Sequence, residues 1–124
     1  WIGQQVAAIP AANRRLVTDH AVFGYFANRY GFEQTGAVVP GYSTLAEPSA
    51  QEIARLEDTL REQGVPAIFV GNTVNSGLSQ RIAQDTGIQL VFVYTGSLSA
   101  PDGPAATYLD YMRYNVNAMF DALK

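Results

Sequence analysis

Four short apolar runs alternate with segments of helical periodicity, and this alternation limits the chain to one kind of fold. The runs are Arg15–Thr18, Glu33–Val38, Ala67–Val70 and Ile88–Tyr94. Ala67–Val70 is apolar throughout, as a strand covered on both faces should be. A helix is expected from about Asp19 to Tyr30, with Thr18 or Asp19 as N-cap, Gly31 as terminator, and Val22, Phe23, Phe26 and Tyr30 on its buried stripe. Ser49-Ala50-Gln51-Glu52 is a capping box, in which hydroxyl and carboxylate satisfy free amides reciprocally. The helix it opens carries Ile53, Leu56 and Leu60 on one face and stops at Gly64. A third helix spans about Ser76–Thr86 and ends at Gly87. The last runs from about Ala105 to Leu123, with a stripe of Leu109, Met112, Val116, Met119, Phe120 and Leu123. Strands and helices alternating at this spacing form βα units, because parallel neighbours need a crossover between them. The expected fold is α/β: a three-layer αβα sandwich around a four-stranded, mostly parallel sheet.

The 124 residues suffice for one domain with a real core but not for two ordinary domains. A content of 48% hydrophobic and 15% charged residues suits a compact fold. Basic residues number 8 against 11 acidic, and Arg14-Arg15 is the one adjacent basic pair. A nucleic-acid partner needs a concentrated basic face, so that class is disfavoured. No apolar run approaches the length of a membrane-spanning helix, and no signal peptide is visible. The absence of cysteine excludes disulfides and thiolate metal sites but leaves the compartment open. Residues 1–9 read as the tail of a helix stopped by Pro10. A start at Trp1 inside such a segment suggests a piece of a longer chain, whose export signal would lie outside it.

The strand-to-helix loops at His20, Gly41–Glu47, Gly71–Gly77 and Gly96–Pro104 should open on one edge of the sheet, where open α/β folds collect ligands. His20 is the only histidine. A neutral imidazole is a common ligand of zinc and other transition metals, although a lone histidine more often caps a helix or packs in a core. Enzyme motifs fare poorly. The segment Gly71–Gly77 lacks the Lys of a phosphate-binding P-loop, no Gly-x-Gly-x-x-Gly follows the first strand, and there is no Gly-x-Ser-x-Gly elbow. Glu52, Glu57, Asp58 and Glu62 alternate with arginines, as on a solvated face. Glu47 reads as helix N-terminal electrostatics or a cleft carboxylate, and Asp102 as a turn residue or a metal ligand. Tyr108, Tyr111 and Tyr114 are expected in core packing or an interface.

The segment Val17-Thr18-Asp19-His20-Ala21-Val22-Phe23-Gly24-Tyr25-Phe26 resembles the Thr-x-His-x-Ala-Phe-x-Tyr-Phe stretch of the zinc- and manganese-binding solute-binding proteins of ABC importers, the cluster A-I type. Tyr30-Gly31, Ser43-Thr44-Leu45-Ala46-Glu47-Pro48-Ser49, Pro66-Ala67-Ile68-Phe69-Val70 and Tyr108-Leu109-Asp110-Tyr111-Met112-Arg113-Tyr114-Asn115 follow the same template in order. The resemblance covers nearly the whole chain and is to the C-terminal lobe. It implies one lobe of a two-lobe protein that traps a divalent metal ion between its lobes and hands it to a membrane ABC permease. Residues 1–9 would then end the interlobe linker helix and residues 10–124 form the C-terminal lobe. An N-terminal lobe would supply two further histidines. Binding rather than catalysis is implied, in the periplasm or outside the cell, with a lipid anchor as one option for the full-length protein.

By the same resemblance His20 falls on the third-ligand position, where histidine goes with zinc more than manganese. A helix N-terminus beneath His20 would help keep the ring neutral. Two positions depart from the family. Thr95-Gly96-Ser97 has Gly96 where the family has Asp, and Gly71 stands where many relatives carry Glu. Water could complete a three-histidine site, Asp102 or Glu47 could swing in, or the cleft could take another solute. A protein acting by surface contacts, or a small α/β enzyme using His20 as a base, are the remaining alternatives.

Overall fold

The computed structural model describes residues 1–38, 49–72 and 76–124. Helix α1 (Ile2–Ala7) and a short 3-10 turn lead into strand β1 (Arg15–Thr18), helix α2 (Gly24–Tyr30) and strand β2 (Glu33–Ala37). Helix α3 (Ala50–Gln63), strand β3 (Ala67–Gly71), helix α4 (Gly77–Thr86), strand β4 (Gln89–Val93) and helix α5 (Tyr108–Leu123) follow. The strands lie in the order β2-β1-β3-β4, and all three pairings are parallel.

Alternation along the strands sorts their side chains into two cores. Leu16, Phe69 and Val93 face one side of the sheet with Val6, Phe23, Ala27, Met119 and Leu123, so α1, α2 and α5 form that layer. Val17, Ile68 and Val70 face the other side with Leu60 and Ile82, so α3 and α4 form the opposite layer. The three-layer αβα sandwich expected from the sequence is thus present. Strand β3, buried at every position, is covered by both layers.

The capping box of α3 forms as the sequence predicts. The Ser49 hydroxyl accepts from the Glu52 amide at 3.3 Å, and the Glu52 carboxylate accepts from the Ser49 amide at 2.8 Å. The Ser49 hydroxyl donates to the Glu52 carboxylate at 2.7 Å, and this bond, with the one from the Ser49 amide, holds the Glu52 carboxyl below its ordinary pKa. A carboxylate with a lowered folded-state pKa stabilises above its unfolded value and ceases to do so as pH falls through the folded one. Ser49→Ala should cost about 1 kcal/mol at neutral pH, and the loss should shrink in acid. Urea unfolding at pH 7 and at pH 3 checks both statements.

Two helices begin later than expected. Helix α2 starts at Gly24 rather than near Asp19, and no side chain caps it at Phe23. The Thr18 hydroxyl and the Asp19 carboxylate are committed to other bonds, so residues 19–23 form an irregular turn instead of a first helical turn. Val22 consequently lies 44% exposed rather than on a buried stripe. Helix α5 starts at Tyr108 rather than Ala105, because Ala105 and Ser99 exchange hydrogen bonds that close a loop before Thr107 caps the helix. Leu109 is exposed, facing a groove with Trp1 and Ile2. The loop Gly41–Glu47 and the centre of Gly71–Gly77 lie outside the described residues.

Candidate functional site

From β1 the chain moves to β2 on one side, and from β3 it moves to β4 on the other. Connections that diverge in this way leave a crevice at the C-terminal ends of the two central strands, the preferred ligand position of such sheets. His20 stands two residues past the end of β1, at this switch point, and is half-buried.

Both main-chain polar groups of His20 are bonded. Its N–H donates to Asp19 Oδ1 at 2.8 Å, while its carbonyl accepts from the Thr18 hydroxyl at 2.6 Å and from the Val22 amide at 2.8 Å. Thr18 and Asp19 are buried, at 0% and 3% exposure. Asp19 Oδ2 accepts from the Gly71 amide at 3.0 Å, and the Asp19 amide donates to the Phe69 carbonyl at 3.0 Å. Thr18 Oγ1 in turn accepts from Gln34 Nε2 at 2.9 Å.

Gly71 has no room for a side chain here. A Cβ would run into the Thr95 hydroxyl and lie 3.3 Å from Asp19 Oδ2. The glutamate that the resemblance leads one to expect at this position is replaced by a space that Asp19 and Thr95 fill.

The turn after β4 is held from two sides. Asn115, buried in α5, accepts from the Tyr94 amide and donates to the Tyr94 carbonyl, both at 2.8 Å. The Asn72 carbonyl oxygen of the side chain accepts from the Thr95 amide at 3.2 Å. Gly96 and Ser97 emerge from this support exposed. They border an apolar groove of about 710 Å³ whose walls include Val22, Tyr25, Leu98, Tyr108 and Tyr111. Burial pushes the Tyr111 phenol above its ordinary pKa. Tyr108 is 67% exposed and so lies outside the core of this lobe, whereas Tyr111 and Tyr114 are half-buried.

Asp102 is exposed in the turn before α5, and Glu47 lies outside the described residues. Among the described residues no three His, Asp or Glu side chains gather into a metal-binding group. The roles of Thr18, Asp19 and Asn115 escaped the sequence reading. Only Asn115 left a trace there, as a polar residue inside the apolar stripe of the last helix.

The sequence profile described as "ZnuA: Zinc-uptake complex component A periplasmic" matches residues 1–122. The chain belongs to the ZnuA family. Among ZnuA-family relatives, the manganese-binding lipoprotein MntA of Halalkalibacterium halodurans is 32% identical over 124 residues, covering 99% of this chain and 41% of MntA. The high-affinity zinc uptake system protein ZnuA of Bacillus subtilis is 28% identical over 121 residues, covering 96% of this chain and 37% of that protein. A manganese-bound mutant of a periplasmic metal-binding protein from Candidatus Liberibacter asiaticus superimposes with a TM-score of 0.86 at 26% identity, covering 99% of this chain and 45% of that one. The ZnuA-family chain thus spans less than half the length of these relatives.

Proposed function

We propose that this chain is the C-terminal lobe of an extracytoplasmic solute-binding protein that captures a divalent metal ion, zinc in preference to manganese, for an ABC importer. The observation that carries the reading is His20, the only histidine, standing on a bonded turn at the switch point of the sheet. A half-buried imidazole there can coordinate a metal through a ring nitrogen. One imidazole cannot close a tetrahedral site, so a second lobe supplies the remaining ligands. Relatives more than twice as long accommodate such a lobe, and the apolar groove bordered by Val22 and Gly96 is the surface that its closure would cover. Residues 1–9 then end the interlobe helix, with residues 10–124 as the lobe itself. The protein works in the periplasm or, lipid-anchored, at the outer face of the membrane, and its partner is the membrane permease. Its task is binding, not catalysis.

Metal choice follows from donor chemistry. A nitrogen-rich set favours zinc, and oxygen donors suit manganese. Gly96 removes the side-chain oxygen that the resemblance leads one to expect. Competition against a chromophoric chelator, with zinc and manganese titrated separately into full-length protein, tests the reading, and failure to bind either metal tightly would refute it. Gly96→Asp should strengthen manganese binding about tenfold or more, the scale on which a change around a metal ligand acts, and should move zinc less. The second reading, that the cleft takes a different solute, rests on the same Gly96. Unaltered manganese binding in Gly96→Asp would favour it.

A further inference from the structure

The turn that carries His20 is tied down more firmly than a surface loop needs to be. Asp19 is buried with both carboxylate oxygens occupied, one by the His20 amide and the other by the Gly71 amide at the end of β3. Burying a carboxylate is costly unless hydrogen bonds replace its water, and bonds to a charged acceptor are about twice as strong as neutral ones. A small neutral residue would let β1 and β3 pair equally well, since strand pairing uses none of these side-chain oxygens. The His20 carbonyl accepts from the Thr18 hydroxyl, which Gln34 of β2 orients in its turn. Side chains and amides of three strands therefore converge on the backbone of one residue.

We propose that Asp19 is a positioning residue for metal capture: with Thr18, it clamps the His20 backbone across the β1/β3 switch point and so fixes the point from which the imidazole reaches the metal. The inference rests on the reading of His20 as a ligand and deepens it. Asp19 acts through the backbone and does not coordinate, because its oxygens are turned to main-chain amides. Gly71 belongs to the same device, since any larger residue would drive a Cβ against Thr95 and crowd the Asp19 carboxylate. Holding a ligand in place before the metal arrives removes an ordering cost from binding.

The test uses full-length protein carrying Asp19→Ala, Asp19→Asn or His20→Ala. Three quantities are read: zinc affinity by chelator competition, the visible spectrum of the cobalt-loaded protein, and hydrogen exchange of the His20 and Gly71 amides without metal. Asp19→Ala should weaken zinc about 10- to 100-fold, the usual consequence of losing a group that orients a ligand. It should also alter the cobalt spectrum and speed exchange at both amides. Asp19→Asn keeps one acceptor and should fall between Ala and wild type; it decides alone if the alanine variant does not fold. Wild-type affinity and spectrum in the Asp19 variants, where His20→Ala abolishes binding, would overturn the proposal. Zinc affinity indifferent to His20→Ala overturns the ligand reading instead. The positioning role falls with that reading, whatever the exchange rates of the two amides show.

Discussion

His20→Ala in the full-length protein is expected to weaken zinc binding by about two orders of magnitude or more. Tight protein zinc sites are worth about 10–16 kcal/mol, so a quarter share of a four-coordinate site is ~3 kcal/mol, and each ~1.4 kcal/mol is a tenfold change in affinity. The fold should hardly notice the substitution. The imidazole is half-buried, and the hydrogen bonds at this turn use the His20 backbone together with the Thr18 and Asp19 side chains. Chelator competition and a thermal melt of metal-free protein separate the two effects. A variant that melts like wild type and still binds zinc with wild-type affinity would remove His20 from the site.

Phe69→Ala should produce the largest loss of stability. Phe69 is fully buried in β3 and packs with residues of α1, α2 and α5. Emptying such a position costs about 3–5 kcal/mol, against a total of about 5–15 kcal/mol for a typical domain. The urea midpoint should therefore fall by a large fraction of its wild-type value. Metal affinity measured well below that midpoint should change much less, because His20 stands outside this core cluster. A midpoint close to wild type would mean that neighbouring side chains collapse into the space.

The architecture was legible because it follows from periodicity. Arg15–Thr18 is the first strand in sequence and structure alike, and Ser49 with Glu52 opens α3 as its capping box predicts. Gly31, Gly64 and Gly87 end their helices in the left-handed conformation that glycine tolerates best. The family, too, could be read from the order of its motifs. What escaped was the local chemistry of the turn after β1. A Thr-Asp pair before a helical pattern reads as an N-cap, yet Asp19 is drawn to an amide 52 residues away, a partner that no local pattern can announce. The same holds for Asn115, whose partner Tyr94 lies 21 residues earlier in the chain. Val22 is exposed because α2 begins only at Gly24, whereas Leu109 is exposed on α5 because periodicity assigns a face to a helix without saying how far along the helix that face is covered.

The bond between Asp19 and Gly71 also has a bearing on when a metal can be taken up during the life of the chain. It closes only after β1 and β3 have paired, and between them in the chain lie α2, β2 and α3. On the proposed function, an unfolded chain would offer His20 on a free backbone, apart from its partner ligands, and would hold zinc weakly. Metal would then bind the native state alone, and a ligand that discriminates in this way stabilises the folded protein. Loading would come last in biogenesis, as a seal on a finished fold rather than a nucleus for it.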